Sequence, residues 1–347
     1  MIRFLKAALV FAVAAWTFGA VPADAQVRKT GLTGASFLKI GVGARAVALG
    51  SAYTTVRGDV NQMFWNPAGI SIAEGKTQLT FSYNDWIADL AHYSAGVSHD
   101  FGTLGTWGVG FLALGVSDIE ANRDVVPSFL AGTYTGFVDP ATSDTYDYND
   151  TAVSLTWAYQ FTDRLSMGVT GKYINQKIDG ESASAYALDV GAIYDIGYRG
   201  ARVGARLNNL GSDLKYYAIK SPLPLEFSVG SSIDLMNNED QGMRLTAMVD
   251  ATKPQDSEQL LYIAGEFQVM KYFMVRGGYK LNYSGITDKK TDEVTRARTS
   301  ADRTEEGFTL GGGVDYPFGG YRIGVDYAYT EFGILDNVHR VSVNMGF

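Results

Sequence analysis

The feature that most constrains this chain is the strict alternation of apolar with polar or small residues in its C-terminal stretches. Val341, Val343, Met345 and Phe347 occupy every second position up to the last residue. A period of two indicates a β-strand with one apolar and one polar face. A soluble strand turns the apolar face towards a core, whereas a strand of a membrane barrel turns it towards lipid.

The same alternation recurs from about residue 76 to the end and predicts fourteen strands. The clearest apolar faces before the last strand lie at 79–83, 107–111, 153–161, 165–169, 188–192, 201–207, 223–229, 273–279, 308–314 and 321–329, with weaker ones near 92–99, 243–250 and 260–268. Charged residues on the opposite faces include Arg202, Arg206, Glu226, Glu266, Arg276, Arg322 and Asp326. A polar interior with an apolar exterior is typical of an outer-membrane barrel.

The connections between these stretches alternate in length. Short ones fall at 100–105, 162–164, 196–200, 236–242, 269–271 and 317–320, and longer ones at 84–92, 116–151, 177–184, 211–222, 251–258, 282–306 and 330–337. Outer-membrane barrels have short periplasmic turns and longer external loops. A soluble β-sandwich, the alternative, has no reason to sort its loops in this way. The sequence therefore predicts an all-β transmembrane barrel over residues 76–347, in contact with outer-membrane lipid.

The N-terminus predicts export. Arg3 and Lys6 precede an apolar run at 7–21, and Ala23-Asp24-Ala25 fits a cleavage site, so residues 1–25 are interpreted as a signal peptide. The alternative, a membrane anchor, is less favoured because the run is short for a span. The chain contains no cysteine, which excludes disulfides and cysteine-ligated metals. A net charge of −8 argues against a nucleic-acid partner. We expect the protein in the bacterial outer membrane.

Residues 26–75 precede the first strand and do not resemble a polar linker. Asn66 and Pro67 cannot continue a helix, and Gly69 ends the turn that they begin. Eight-stranded barrels are filled by their own side chains, so fourteen strands leave a lumen that this segment can occupy. The sequence predicts a partly helical N-terminal plug.

Two details of this plug follow from the residues. Trp65, Asn66 and Pro67 are expected to fix the turn that joins the plug to the barrel. Arg45 is expected to pair with a lumenal carboxylate such as Glu226 or Glu266, because an unpaired buried charge is costly.

The run ARAVALGSAYTTVRGDVNQMFWNPAGI at 44–70, with FLKIG at 37–41, resembles the plug of the PorV/PorQ family of outer-membrane proteins. IAGEF at 263–267, RGGY at 276–279 and HRVS at 339–342 also resemble the late strands of that family. The family is related in fold to the long-chain fatty-acid transporters, whose fourteen-stranded barrels carry an NPA turn in an N-terminal hatch. The terminal Phe347 resembles the aromatic residue read by the outer-membrane assembly machinery.

The resemblance implies two functions. The favoured one is type IX protein secretion, in which the barrel binds the C-terminal signal domains of cargo or the translocon through the external loops 116–151 and 282–306. The alternative is transport of hydrophobic small molecules across the outer membrane. A third strand rich in glycine would then open the wall sideways, through Gly102, Gly105, Gly108, Gly110 and Gly115. An open porin comes third, because a plug would obstruct conduction.

Other motifs carry little weight. Residues 41–46 match a dinucleotide fingerprint, but that motif needs a βαβ unit. The Arg-Gly-Asp at 57–59 is a common tripeptide. The acidic stretch 139–150 offers oxygens to calcium, yet it lacks EF-hand spacing. His92, His99 and His339 are dispersed, and no nucleophile–base arrangement accompanies them. We therefore predict no catalytic residue, no metal and no cofactor.

Overall fold

A computed structural model of the chain describes residues 32–71, 76–120, 145–257, 259–283, 306–333, 335 and 337–347. The predicted signal peptide lies outside these residues, as do most of the loops 116–151 and 282–306. None of the helices in the described ranges is long and apolar enough to cross a membrane.

The described part of the chain is dominated by antiparallel strands. They are β1 (Thr77–Asp85), β2 (Ala91–Asp100), β3 (Thr106–Glu120), β4 (Thr145–Gln160), β5 (Leu165–Ile178), β6 (Glu181–Asp195), β7 (Arg202–Gly211), β8 (Leu214–Tyr216), β9 (Ile219–Ser221), β10 (Glu226–Asn238), β11 (Met243–Pro254), β12 (Gln259–Val269), β13 (Phe273–Tyr283), β14 (Phe308–Phe318), β15 (Tyr321–Thr330) and β16 (Val338–Gly346). All except β8 and β9 form one closed barrel, and those two form a separate hairpin. The prediction of a fourteen-stranded antiparallel barrel is confirmed.

The barrel closes where its first and last strands meet. Phe81 of β1 lies opposite Val343 of β16 on one side and Ala95 of β2 on the other. At the end of this seam, Thr77 and Phe347 exchange two backbone hydrogen bonds of 2.8 and 2.9 Å. The structure thus places Phe347 at the closing seam, and its role in assembly stays a prediction. We call one end of the barrel the short-turn end: it holds the Thr77–Phe347 contact and the connections 101–105 and 161–164. The opposite end is called the long-loop end.

The two faces of the wall differ as the alternation predicts. Val325 and Val343 face outward with 47 and 42 % of their surfaces exposed, whereas their neighbours Asp326 and Ser342 face inward and are buried. In a membrane barrel such an apolar exterior contacts lipid, while the interior holds the polar side chains.

One predicted loop is wrong. Residues 177–184 do not form a long connection, because β5 continues to Ile178 and β6 starts at Glu181. Asp179, with φ of 54°, and Gly180 make a tight turn, and Asp-Gly is a hairpin signal that apolar alternation does not reveal. Barrel strands extend beyond the lipid belt, where apolar alternation stops but the backbone ladder continues. For the same reason β11 extends to Pro254, inside the predicted loop 251–258.

The N-terminal segment, residues 32–71, lies against the inner face of this wall. It holds short 3₁₀ turns at Ser36–Lys39, Val60–Phe64 and Pro67–Ser71 and one short α-helix at Ala44–Ala48. The α-helix packs against β13 to β16, the second turn against β1 to β3, and the third against β4 to β6. The segment enters at the long-loop end, where the backbone N–H of Gly34 donates to Pro222 O at 2.9 Å. It therefore contacts most of the barrel circumference before β1 begins.

Candidate functional site

Among the described residues, the N-terminal segment lines two cavities in the lumen. The larger, of about 390 Å³, lies towards the short-turn end and is lined by charged side chains of both signs. The smaller, of about 60 Å³, lies nearer the long-loop end, and its lining mixes aromatic and aliphatic side chains with charged and polar ones. The residues between the two cavities determine whether a molecule can move from one cavity to the other.

Arg45 is the main charged group that the segment presents to the wall. Its Nη2 and Nε donate to the two carboxylate oxygens of Glu266 at 2.8 and 3.0 Å, and its Nη1 donates to Asp59 at 3.2 Å. Such a bidentate pair fixes geometry as well as charge. Burial lowers the pKa of Arg45, but Glu266, Tyr53 and Asp59 outweigh this and hold the pKa well above its usual value. Of the two carboxylates proposed as partners, Glu266 is the one that Arg45 contacts.

Glu266 also binds a second arginine. Arg276 donates to Glu266 at 2.7 Å and to Asp326 at 2.5 Å, and both its own side chain and the two carboxylates are buried. Asn344 completes the arrangement by donating to Asp326 at 2.9 Å. Charges therefore alternate in sign from Arg45 through Glu266 and Arg276 to Asp326. This ionic network ties the segment to β12, β13, β15 and β16.

The turn around Asn66 holds the opposite side of the segment. Asn66 Nδ2 donates to Thr54 O at 2.7 Å, and Asn66 Oδ1 accepts from the backbone N–H of Ala68 at 3.2 Å. Asn208 on β7 donates to Trp65 O at 2.8 Å. The side chain of Asn66 thus shapes the turn, while a side chain of the wall holds it in place.

Glycines make this close approach possible. A Cβ added at Gly168 would lie 2.5 Å from the carbonyl carbon of Pro67, and one at Gly191 would lie 1.9 Å from Asn66 Oδ1. Within the segment, a Cβ at Gly69 would lie 2.5 Å from Gln62 Cγ. These distances leave no room for a side chain, so the wall is shaped to receive the turn.

The remaining predicted lumenal charges belong to separate groups. Arg206 pairs with Glu226 at 2.8 Å and lies 5.2 Å from the centre of the Trp65 ring. Arg202 donates to Thr55 O at 3.4 Å. Arg322 donates to Asp315 at 2.7 Å, near the short-turn end. The structure therefore brings Glu266, Arg276 and Asp326 into one network, places Arg202 and Arg322 on the wall of the same larger cavity, and leaves Arg206 and Glu226 at the smaller one.

Two glycines of the third strand, Gly108 and Gly110, make room for a side chain of the N-terminal segment, while the sideways opening of the wall stays a prediction. From Thr106 to Val116, β3 pairs with β4 without a break, and its register shifts only between Val116 and Ile119. Added Cβ atoms at Gly108 and Gly110 would lie 3.0 and 2.9 Å from the Met63 side chain. The glycines thus form a recess for Met63, which is fully buried. Sequence reasoning missed Met63, although small residues at alternate inward positions were a usable signal.

The smaller cavity is the best candidate for a ligand site. Phe64, Trp65, Tyr262, Leu112 and Val42 supply apolar or aromatic surface. Lys39, Lys172, Arg206, Glu226 and Lys280 supply charges, and Ser51, Asn208 and Asn209 add neutral polar groups. Apolar walls with a few fixed polar groups are typical of small-molecule sites. At about 60 Å³ it is smaller than the roughly 150 Å³ cavity that holds benzene in an engineered protein. A molecule of that size enters only if the segment or the lining side chains shift.

A second attachment holds the segment at the long-loop end. Asp256, in the connection between β11 and β12, accepts a hydrogen bond of 2.6 Å from Thr33 and forms an ion pair with Lys39. Asp256 is 3 % exposed, while the Lys39 side chain is 40 % exposed. Burial raises the pKa of Asp256, but the hydrogen bonds from Lys39 and Thr33 outweigh it, and the pKa is lowered.

We expect this attachment to fail in acid. A carboxylate whose folded pKa is lowered stabilises the bound state above its unfolded pKa of about 3.9, and the contribution is lost as pH falls through the folded pKa. Hydrogen exchange of residues 32–40 should therefore increase below about pH 4 in the wild type. Asp256→Asn should show faster exchange already at neutral pH and no acid transition. An equal acid transition in both proteins would contradict the assignment to Asp256.

The described residues contain no group of three acidic or histidine side chains placed to hold a metal ion. Of the acidic stretch proposed for calcium, residues 139–144 lie outside the described residues. Asp147 and Asp150 lie in β4, where Asp150 accepts hydrogen bonds from Tyr148 and Gln176 at 2.5 Å each.

Comparison with known proteins adds the context of the fold. No family model matches the sequence, and a search of curated proteins finds no significant match. The toluene transporter TodX of Pseudomonas putida matches with a TM-score of 0.56 at 12 % identity, over 92 % of this chain and 98 % of that one. The toluene transporter TbuX of Ralstonia pickettii matches with 0.53 at 14 % identity, over 88 and 97 %. A FadL homologue of Pseudomonas aeruginosa matches with 0.50 at 9 % identity, over 88 and 97 %.

The chain therefore has a FadL-like barrel fold, and the solved structures that share it include the toluene transporters TodX and TbuX. A closed barrel with an apolar exterior places the protein in the bacterial outer membrane, so that prediction is confirmed.

The prediction of a role in type IX secretion is wrong, since the structures that share this fold are hydrocarbon transporters. Membership of the PorV/PorQ family, and with it translocon and cargo partners, has no support. The reason is physical. The motif at 44–70 encodes the packing of the segment against the wall, through contacts such as those of Asn66 and Arg45, and it holds no information about a partner outside the barrel.

Proposed function

We propose that this protein carries hydrophobic small molecules across the outer membrane. The observation that carries the proposal is the smaller cavity at the long-loop side of the N-terminal segment, where Phe64, Trp65 and Tyr262 lie beside charged groups. The barrel extends over nearly the whole length of two toluene transporters, which supports the same substrate class.

In this proposal residues 26–75 act as a plug. The ionic network and the turn at Asn66 hold the described part of the segment across the lumen, so hydrated solutes have no open path. We infer that the segment shifts as a substrate enters the smaller cavity, and that Trp65, Asn66 and Pro67 fix the point about which it moves.

The chemistry of the lumen supports binding and passage rather than catalysis. The charged residues of the ionic network bind one another, and the solved structures with this fold are transporters and channels. We propose that the protein is not an enzyme and works without a cofactor. Its partners would be outer-membrane lipid and the transported molecule.

Uptake by whole cells tests the proposal. Deleting the gene should lower uptake of a labelled aromatic hydrocarbon, while surface proteins stay unchanged. Complementation with Leu112→Trp should restore the barrel but not uptake, because the larger ring fills the cavity that Leu112 lines. Leu155→Trp is the matched control, since Leu155 is 53 % exposed on the outer face. Normal hydrocarbon uptake in the deletion strain would refute the proposal.

A further inference from the structure

Charge is unevenly distributed around the larger cavity, whose lining includes six arginines and five carboxylates. Three of these arginines form ion pairs with four of the carboxylates: Arg45, Arg276 and Arg322 with Asp59, Glu266, Asp315 and Asp326. The other three, Arg57, Arg202 and Arg244, share the fifth carboxylate of the lining, Asp195. One side of the cavity therefore has an excess of positive charge.

The three arginines on that side repel one another. Arg57 lies within electrostatic range of Arg202, and Arg202 lies within range of Arg244. Burial lowers the pKa of Arg57, Arg202 lowers it further, and Asp195 offsets only part of this effect. The side chains come from the N-terminal segment and from the starts of β7 and β11, so the fold of the barrel brings them together at the short-turn end.

The carboxylates nearby are engaged with other groups. Asp195 pairs with Arg57 at 3.5 Å. Asp234, the other carboxylate within electrostatic range of Arg202, accepts a hydrogen bond of 2.7 Å from Thr246. In the part of the chain that the structure describes, no ion pair reaches Arg202 or Arg244. A cation enclosed by protein is costly without a negative partner, so this side of the cavity is suited to an anion.

Polar atoms without partners border the same arginines. Thr55 Oγ1, Arg57 Nε and Ser232 Oγ have no hydrogen-bond partner among the described residues, and all three residues line the cavity. Ser232 lies opposite Arg202 in the ladder between β10 and β7, and Arg202 donates to Thr55 O at 3.4 Å. Rotation to another staggered rotamer turns either hydroxyl towards the cavity. Buried polar groups are normally paired, so this concentration indicates a site for a ligand that accepts hydrogen bonds.

We propose that Arg57, Arg202 and Arg244 form a binding site for a small oxyanion such as phosphate. The planar guanidinium groups donate pairs of hydrogen bonds to its oxygens, and the hydroxyls of Thr55 and Ser232 donate to the oxygens that remain. The cavity volume of about 390 Å³ far exceeds the roughly 10–15 Å³ that one water needs, so the anion fits with part of its hydration shell.

The position of the site identifies the source of the ligand. Arg202 and Arg244 point into the lumen, away from the lipid-facing side of the wall, so the ligand is a free ion rather than a lipid headgroup. The site is independent of the proposed transport function, which rests on the smaller cavity on the other side of the N-terminal segment.

Calorimetric titration of the full-length protein in a nonionic detergent with inorganic phosphate tests the site. Phosphate should bind the wild type, and Arg244→Met should weaken binding roughly tenfold, the loss expected for a charge-assisted hydrogen bond. Arg244 makes no hydrogen bond or ion pair within the described ranges, so this variant should fold as the wild type does. Arg164→Met is the matched control, because Arg164 is exposed at the same end of the barrel and does not line the cavity.

Three further measurements define the ligand. Arg244→Lys keeps the charge without the planar fork, so it should weaken phosphate binding less than Arg244→Met does. Chloride, which cannot accept paired hydrogen bonds from one guanidinium, should bind more weakly than phosphate. Phosphate should bind equally well after phosphatidylglycerol is added to the micelles.

The proposal is overturned if phosphate does not bind, if Arg244→Met binds it as tightly as Arg164→Met does, or if chloride binds as tightly as phosphate. Loss of phosphate binding in the presence of phosphatidylglycerol would show that the occupant is a lipid headgroup and would contradict the assignment to a free ion. None of these results bears on hydrocarbon uptake, so failure here leaves the proposed transport function untouched.

Discussion

Replacing Glu266 by Gln is expected to destabilise the barrel by roughly 3–5 kcal/mol, because it leaves two arginines without their shared carboxylate. Glu266 accepts from Arg45 and Arg276, and its side chain is 5 % exposed. Glutamine keeps the shape of the side chain, so the change isolates the charge. Urea unfolding of the protein reconstituted in lipid vesicles measures the effect.

Asp315→Asn is the matched control. Asp315 pairs with Arg322 at 2.7 Å, but both side chains are at least 25 % exposed. Exposed pairs contribute about 0–1 kcal/mol, so the control should unfold almost as the wild type does. Adding Arg45→Met to Glu266→Gln should recover part of the lost stability, since it removes one of the two arginine charges that no longer face Glu266. Equal unfolding of Glu266→Gln and Asp315→Asn would show that the network does not hold the segment.

The barrel was predictable because its rules are local. Alternation assigns each residue to a face of the wall, as with Val325 outward and Asp326 inward. The number of alternating stretches then gives the number of strands. Strand length beyond the lipid belt was not predictable in this way, as the Asp179-Gly180 turn demonstrates. There the backbone ladder continues through polar residues, and only the turn residues mark the end.

Only one contact of the candidate site was predictable from the sequence, because a buried charge requires a partner. The cost of burying the charge of Arg45 without a partner predicted a lumenal carboxylate, such as Glu226 or Glu266, but did not choose between them. The partner of Arg276 and the recess for Met63 depend on which strands are adjacent and in what register. That information comes from pairing over long sequence distances. The residues of a single sequence do not show which strands pair or in what register.

Function was misjudged for a related reason. The motif at 44–70 is dominated by residues that shape the segment, including Asn66, Pro67 and Gly69. The same packing is compatible with different cargoes, so its resemblance to one family could not decide between protein secretion and small-molecule transport. The lining of the smaller cavity is more informative, because a transported molecule would touch it directly.

Adding a methyl group at Gly278 is expected to detach the N-terminal segment from the wall and open the lumen. A Cβ on Gly278 would lie 2.3 Å from Gly50 N and 2.4 Å from the carbonyl carbon of Leu49, which are backbone atoms that cannot rotate away. Gly50 cannot easily adjust, since its φ of +56° already requires glycine. Overpacking of this kind costs roughly 1–3 kcal/mol, and moving the segment relieves it.

Gly277→Ala is the matched control, because its added Cβ meets nothing closer than the Leu310 side chain at 3.5 Å. In planar lipid bilayers, the wild type and Gly277→Ala should conduct ions poorly, while Gly278→Ala should open frequent conducting events. Its melting temperature should fall relative to the control, because the segment no longer stabilises the wall. If Gly278→Ala stays closed and melts with Gly277→Ala, the segment does not act as the plug, and the low conductance must come from the wall and loops.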